Sequence, residues 1–572
     1  MIHVMLQCNG VAKQRATHLG SSPTIHKAIG VLGVLLSLWS EFGWLERSSA
    51  LRPHEQRMVL ANQNVNNVSK WHDEYHRSPR NLLRHWAPVN PQEATADFWA
   101  GEARAAIAAR RPLARGGGAA RNVVLFLGDG MSVPTLAAAR ALLGQRAGRP
   151  GEEAQLAFEA FPSVGLAKTY CVDSQIPDSA CTATAYLCGV KTNLGTIGVT
   201  AAVPRRDCAA SAERAAHVQS IAAWALQDGR DAGIVTTTRV THASPSGAYA
   251  HVADRDWESD ADVRADGHDP EQCPDIAYQL VHSYPGNQFK VILGGGRREF
   301  LPEDTVDEEG TRGRRRDGRR LIDEWRADKV ARNASHQYVW HRDQLLAASA
   351  SPPEYLLGLF EGSHLQYHLE ADAQSEPTLA ELTEAAIRAL GRNEKGFFLF
   401  VEGGRIDHAH HDNQPALALD ETIELSAAVA RAAALLDEAD SLLVVTADHA
   451  HVMAFNGYTH RGGDILGPSD DVGDDGAPYM TLSYTNGPGH RVHAGDRRPD
   501  VTQDADYRSA RWRSHADVPL ASETHGGEDV GVFARGPQAS MFTGVFEQSQ
   551  LPHLMAYAAC LGPGPRACES AA

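Results

Sequence analysis

Apolar, β-branched runs alternate with Ala- and Leu-rich stretches of helical period through most of the chain. The runs are NVVLFL at 122–127, GIVTT at 233–237, VIL at 291–293, FFLFV at 397–401 and LLVVT at 442–446. Helix-like segments occupy 132–143 and 413–439. Short continuous apolar runs suit strands buried on both faces, and their alternation with helices predicts an α/β fold. Its centre is a large, mostly parallel sheet covered on both faces by helices. Residues 461–517 break the pattern: they are rich in Gly, Pro, Asp and Arg, carry one short apolar run at 479–484, and read as a loop-rich excursion beyond the core.

In open parallel sheets, ligands bind beyond the carboxyl ends of the strands. Polar clusters follow the predicted strands as that rule requires. Asp129 follows the first run, Thr241-His242-Ala243-Ser244 the second, Glu402 and Asp407 the run at 397–401, and Asp448-His449 the last. The densest stretch, FFLFVEGGRIDHAHH at 397–411, delivers Glu402, Asp407 and His411 into one short turn. Carboxylate with imidazole suits Zn²⁺, whereas an all-oxygen set suits Mg²⁺ or Ca²⁺, so one loop offering both kinds can serve two different ions.

Ser179 lies just ahead of a small-residue segment that reads as helical from Thr182 onward. A hydroxyl at a helix N-terminus meets the positive end of the helix dipole and unpaired N–H groups, which favour an alkoxide and a bound phosphate; the ordinary alternative is an N-cap serine. No G-x-S-x-G elbow surrounds Ser179, so a Ser-His-Asp hydrolase is not signalled. Metal activation through Asp129, Asp448 and His449 is the other route. Arg255 could clamp two phosphate oxygens with its planar fork, or form a surface ion pair.

The 572 residues show no linker or abrupt charge shift through the middle. The expected organisation is a targeting segment at 1–50, an N-terminal extension at 51–95 and one large catalytic domain at 96–570. A formal net charge of -17 disfavours nucleic acid as a partner, and the one basic cluster, RGRRRDGRR at 312–320, reads as a solvated loop. The run AIGVLGVLLSLW at 28–39 is short for a membrane span and fits a secretory h-region, although it sits late; a signal-anchor or a buried helix are the alternatives. Sequons at Asn67 and Asn333 agree with export. Of eight Cys, Cys560 and Cys568 read as a local staple and Cys208 and Cys273 as a second candidate pair. Cys171, Cys181 and Cys188 stay open between paired, free and buried, and Cys8 falls in the segment expected to be removed.

Seven motifs in order resemble animal alkaline phosphatases: FLGDGMS from Phe126, PDSACTATAYLCGVK from Pro177, VTTTRVTHASPSGAYAHVADRDW from Val235, ILGGGRREF from Ile292, FFLFVEGGRIDHAHH from Phe397, VVTADHAH from Val444 and ETHGGEDVGVFARGPQ from Glu523. The resemblance runs from about residue 97 to residue 568. It implies one zinc on Asp407, His411 and His525, and a second on Asp129, Asp448 and His449 beside the nucleophile Ser179. It implies a magnesium on Asp129, Ser244 and Glu402. His242 matches a residue near the magnesium waters and His451 one close to the second zinc. A calcium site would fall on Glu309, the Phe360 carbonyl, Glu361 and Glu376. Ala180-Cys181 stand where relatives often carry two very small residues, which adds a thiol near the site.

The implied activity is hydrolysis of phosphate monoesters through a phosphoserine, in a homodimer whose excursion at 461–517 contributes to the subunit contact. The alternatives are a phosphodiesterase on a related two-metal core and a catalytically silent surface receptor of the same fold. A secretory, extracellular or cell-surface location follows from the same reading. The chain ends at Ala572 without the apolar tail that directs glycolipid anchoring in many animal members, so it is expected to be either a soluble secreted form or a sequence lacking that tail.

Overall fold

The computed structural model describes residues 90–111 and 118–568, which fall within one compact unit, Asp73–Ala572. The apolar run at 28–39, Cys8 and the Asn67 sequon lie outside the described residues. Eight strands of the central sheet appear in chain order before the excursion: β1 (Asn122–Gly128), β2 (Ser163–Lys168), β3 (Asp231–Arg239), β4 (Val291–Gly295), β5 (His336–Val339), β6 (Tyr355–Leu359), β7 (Phe397–Gly403) and β8 (Ser441–Ala447). With Val530–Arg535 and Gly544–Glu547 they build one ten-stranded sheet. Its order is Gly544–Glu547, β2, Val530–Arg535, β8, β1, β7, β3, β4, β6, β5. Only Val530–Arg535 runs against its neighbours, so the sheet is mostly parallel.

Every residue of β1, β7 and β8 is buried, as continuous apolar runs covered by helices on both faces require. The helix Pro415–Leu435 packs on Leu379–Leu390, on Val133–Arg146 and on β7 and β1; the helix Leu551–Ala559 packs on Ser179–Cys188 and β1. At the margin the pattern changes. In β2 burial alternates, with Val164 and Leu166 exposed, so no continuous apolar run announces it in the sequence.

The excursion forms short strands, Pro468–Val472, Pro478–Met480, Leu482–Gly487 and Ala516–Pro519; Leu482, Tyr484 and Ala516 join the main core, while Met480, Val501 and Trp512 form a small separate one. The basic cluster is structural rather than solvated throughout. Arg315 is almost wholly buried and forms a two-pronged pair with Asp275 at 3.0 and 2.9 Å, while Arg314 reaches Asp262 at 2.6 Å.

Gly396 enters β7 with φ +94°, and a Cβ there would lie 2.0 Å from the Arg121 carbonyl oxygen, beside the start of β1. Both the left-handed backbone and the close approach demand glycine. Gly396→Ala is expected to destabilise the fold by at least about 2 kcal/mol, read as a lower unfolding midpoint in thermal or urea titration. An unchanged midpoint would contradict this account of the turn.

Candidate metal centre

The lateral order β8, β1, β7, β3 places four carboxyl ends side by side. Asp129 follows β1, and Asp448 and His449 follow β8. Glu402 stands one residue before the end of β7, level with Leu127 of β1 and Thr236 of β3. After β3, His242 caps the short helix Ala243–Ser246, which carries Ser244. After β7 the helix Arg405–His411 puts Asp407 and His411 four residues apart, hence on one face. His525 lies in a two-residue strand paired with His451. All are buried, as is Ser179.

Three imidazoles are oriented by backbone carbonyls. His411 Nδ1 donates to Glu523 O at 2.6 Å, His525 Nδ1 to Pro177 O at 2.7 Å and His449 Nδ1 to Ala450 O at 3.2 Å. A carbonyl only accepts, so Nδ1 carries the proton and Nε2 presents a lone pair. The Nε2 atoms of His411 and His525 face each other at 3.1 Å, each 3.4 Å from an Asp407 carboxylate oxygen. Lone pairs converging in this way need a cation between them, and this is the expected first zinc set.

The second set is as close. His449 Nε2 lies 3.1 Å from Asp448 Oδ2, 3.6 Å from Asp129 Oδ1 and 3.2 Å from Ser179 Oγ. Asp448 Oδ1 accepts from the amides of Gly130 and His449, whereas Asp448 Oδ2 and Asp129 Oδ1 accept no hydrogen bond. Burial first, then the neighbouring carboxylates Asp448, Asp407 and Glu402, push the Asp129 carboxyl well above its usual range; burial raises Asp448 to about 6. The donor set therefore fits a divalent cation.

In the third set Ser244 Oγ donates to Asp129 Oδ2 at 3.3 Å, and Glu402 Oε2 accepts from Thr236 Oγ1 and, at 3.2 Å, from Thr238 Oγ1. His242 offers an imidazole nitrogen within the same cluster as Asp129 and Glu402, so the set expected to be oxygen-only has a nitrogen at hand. Arg255 is buried, not a surface pair: its Nη1 donates to Asp178 Oδ2 at 3.0 Å.

Four expectations change. The N-cap of the helix Ser179–Cys188 is Asp178, whose Oδ1 accepts from Cys181 N at 3.1 Å, so Ser179 is the first helical residue and the helix begins three residues before Thr182. Cys181 is no free thiol: it is bonded to Cys171, and among the described residues the free thiol is the buried Cys188, whose pKa burial raises. His451 associates with the first set, because its Nε2 meets Asp407 Oδ1 at 2.5 Å and its Nδ1 meets Glu523 Oε2 at 2.5 Å. Burial would lower its pKa, but Glu523 and Asp407 outweigh burial and raise it to about 10. In the calcium set, Glu309 Oε2 accepts from Arg297 Nη2 at 2.8 Å, while burial, then Glu361, raises Glu376 to about 9. Glu361 and Glu376 thus meet, with Glu309 engaged by arginine. The disulfides Cys208–Cys273 and Cys560–Cys568 are present.

Sequence reasoning missed Glu523 and Asp178. Glu523 orients His411 with its carbonyl and His451 with its carboxylate, and its Oε1 accepts from Val452 N at 2.8 Å. Its signal was position alone, two residues before His525. Asp178 had a clearer one, an acidic residue immediately before a small-residue helix.

Comparison with known proteins supplies a family. Residues 120–561 match the family model described as alkaline phosphatase. The chain is 64% identical over 484 residues to a membrane-bound alkaline phosphatase of Bombyx mori, covering 84% of this chain and 88% of that protein. It is 50% identical over 459 residues to the tissue-nonspecific alkaline phosphatase isozyme of Gallus gallus, covering 79% and 87%. Among solved structures, that of Thermus thermophilus alkaline phosphatase superposes with a TM-score of 0.56 at 25% identity, covering 78% of this chain and 93% of the other.

Gly130, with φ +66°, is the tightest point of the site: a Cβ would stand 2.3 Å from His451 Cδ2 and 3.3 Å from the Asp407 Cα. Gly130→Ala is expected to displace the His451 ring and Asp407 with it, lowering metal content in elemental analysis and activity by about a hundredfold. Full metal content with wild-type turnover would show that the contact is slack.

Proposed function

The chain belongs to the alkaline phosphatase family and hydrolyses phosphate monoesters, and from that premise we propose the roles of its residues. Ser179 is the nucleophile. The observation that carries this is the placement of its buried hydroxyl at a helix N-terminus, 3.2 Å from His449 Nε2 in a cluster of carboxylates and imidazoles. Asp407, His411 and His525 would hold one zinc, Asp129, Asp448 and His449 a second, and Asp129, Ser244 and Glu402 a magnesium. When bound, these ions supply positive charge that stabilises the attacking and leaving oxygens.

The chain's own groups do the rest. Ser179 Oγ bonds to phosphorus as the ester bond to the alcohol breaks, giving a phosphoserine; water then takes the phosphoryl group and restores the hydroxyl. Arg255, braced by Asp178, clamps two non-bridging oxygens with its planar fork, and the positive end of the helix dipole faces the same charge. Carbonyl acceptors at Glu523, Pro177 and Ala450 keep three imidazoles in the tautomer that offers Nε2.

A calcium on Glu309, Phe360, Glu361 and Glu376 belongs to the same proposal; the meeting of Glu361 with Glu376 supports it, and the arginine on Glu309 must yield. So do a secretory route to an extracellular or surface location, the division at residues 50 and 95, and a homodimer that uses 461–517. Three disulfides and the exposed sequon residue Asn333 support the compartment. Among the described residues no helix is long and apolar enough to cross a membrane.

Ser179→Ala is expected to abolish the phosphoenzyme while leaving bound metal nearly intact, because only one contact at the cluster is lost. Acid-quenched labelling with a monoester checks it; a labelled phosphoenzyme in the variant would sink the assignment. Replacing one ligand of each kind tests the partition of ions. His525→Ala is expected to lose zinc first and Glu402→Ala magnesium first, each with a large fall in turnover. Elemental analysis finding the same metal lost to the same degree in both would overturn that partition.

A further inference from the structure

The connection ahead of Ser179 carries three determinants of the site on one covalent ring. Cys171 and Cys181, separated by 10 in sequence, are joined by a disulfide. Within the ring the Pro177 carbonyl accepts from His525 Nδ1 at 2.7 Å, Asp178 Oδ2 accepts from Arg255 Nη1 at 3.0 Å, and Ser179 opens the helix. Cys181 sits in the first helical turn, and its own N–H donates to Asp178 Oδ1 at 3.1 Å. The bridge therefore ends on the turn whose geometry aims the nucleophile.

Beyond the bridge, the ring is anchored at Val172, which joins the main hydrophobic cluster. Residues 171–178 have no regular secondary structure, no side chain from 173 to 179 joins the main hydrophobic cluster, and Gln175 and Ile176 are exposed. Besides the bonds to His525 and Arg255, three hydrogen bonds tie the ring to a neighbouring stretch: Val172 N to Thr192 O at 3.0 Å, Leu194 N to Asp173 Oδ1 at 2.9 Å, and Gly195 N to Asp178 Oδ1 at 3.0 Å. That stretch also fixes Arg255, whose N–H donates to Gly195 O at 2.8 Å. Both sulfur-bearing residues are buried.

We infer that the Cys171–Cys181 disulfide is a positioning element of phosphoryl transfer, holding the Pro177 carbonyl, the Asp178 carboxylate and the Ser179 hydroxyl as one rigid unit. The inference rests on the roles proposed above for Ser179, Arg255 and His525. Without the bridge the fold persists, because the sheet and its helices do not depend on the ring. The nucleophile, the arginine and the imidazole lose their common register.

The experiment compares two double variants loaded with zinc and magnesium, Cys171→Ala/Cys181→Ala and Cys208→Ala/Cys273→Ala, the second removing a bridge outside the site. The first is expected to lose about tenfold to a hundredfold in kcat/KM for an aryl monoester and to bind inorganic phosphate about tenfold more weakly, with unchanged far-ultraviolet circular dichroism. The second is expected to lose thermal stability and keep the wild-type phosphate inhibition constant. Wild-type kinetics in the first variant, or an equal phosphate shift in both, would overturn the inference.

Should the first variant fail to fold, the folded wild-type enzyme is partly reduced with a phosphine, alkylated, and mapped by mass spectrometry. Activity falling in step with alkylation of Cys171 and Cys181 supports the clamp; full activity with that pair alkylated overturns it. Phosphoenzyme labelling of Ser179→Ala reports on the nucleophile independently, so failure of the clamp and failure of the functional reading are told apart.

Discussion

Four carboxylates, Asp129, Glu402, Asp407 and Asp448, are buried together where β8, β1, β7 and β3 end, and this gathering of like charge is the constraint to which the rest of the structure answers. Each ion taken out of water costs several kcal/mol unless opposite charge meets it. His411 and His451 meet Asp407 and hold its carboxyl well below the usual range against the effect of burial. At Asp129 burial and the neighbouring carboxylates prevail, and its carboxyl is pushed the opposite way. A centre so unbalanced is completed by cations, and the same cations are what a phosphoryl group requires.

The fold makes that concentration tolerable. A parallel sheet buried on both faces leaves its strand ends rigid, so side chains one residue beyond them are placed by the backbone rather than by flexible loops. The register of β7 with β1 and β3 sets Glu402 level with Thr236, whose hydroxyl donates to it. The helix Arg405–His411 turns Asp407 and His411 onto one face toward the opposite side of the same cluster. The groups Asp129–Asp448–His449 and Asp129–His242–Glu402 thereby stand side by side and share Asp129.

A second layer of carbonyls and one carboxylate completes the arrangement. Glu523 serves twice, through its carbonyl to His411 and through its carboxylate to His451, which in turn reaches Asp407. Pro177 and Asp178 do the same for His525 and Arg255 from the segment that ends in Ser179. The imidazole rings, Arg255 and the segment that ends in Ser179 are thus parts of one hydrogen-bonded framework.

Much was legible in the chain because it is written locally. Continuous apolar runs marked β1, β7 and β8, and the polar residues directly after them marked the site, since burial on both faces and strand-end placement depend on neighbours a few residues away. The strand β2, next to the edge strand and with alternating exposure, carried no such run. What the sequence by itself determined was which residues stand at strand ends and which donor types they bring. The lateral order of the strands, the pairing of Cys171 with Cys181, the shift of His451 to the Asp407 side and the roles of Glu523 and Pro177 were decided only by tertiary structure. The histidine contacts join residues far apart in the chain, 112 positions for His411 with Glu523 and 348 for His525 with Pro177, and no local pattern records a partner at that distance; Cys181 had both Cys171 and Cys188 close in the chain, and spacing alone does not choose between them.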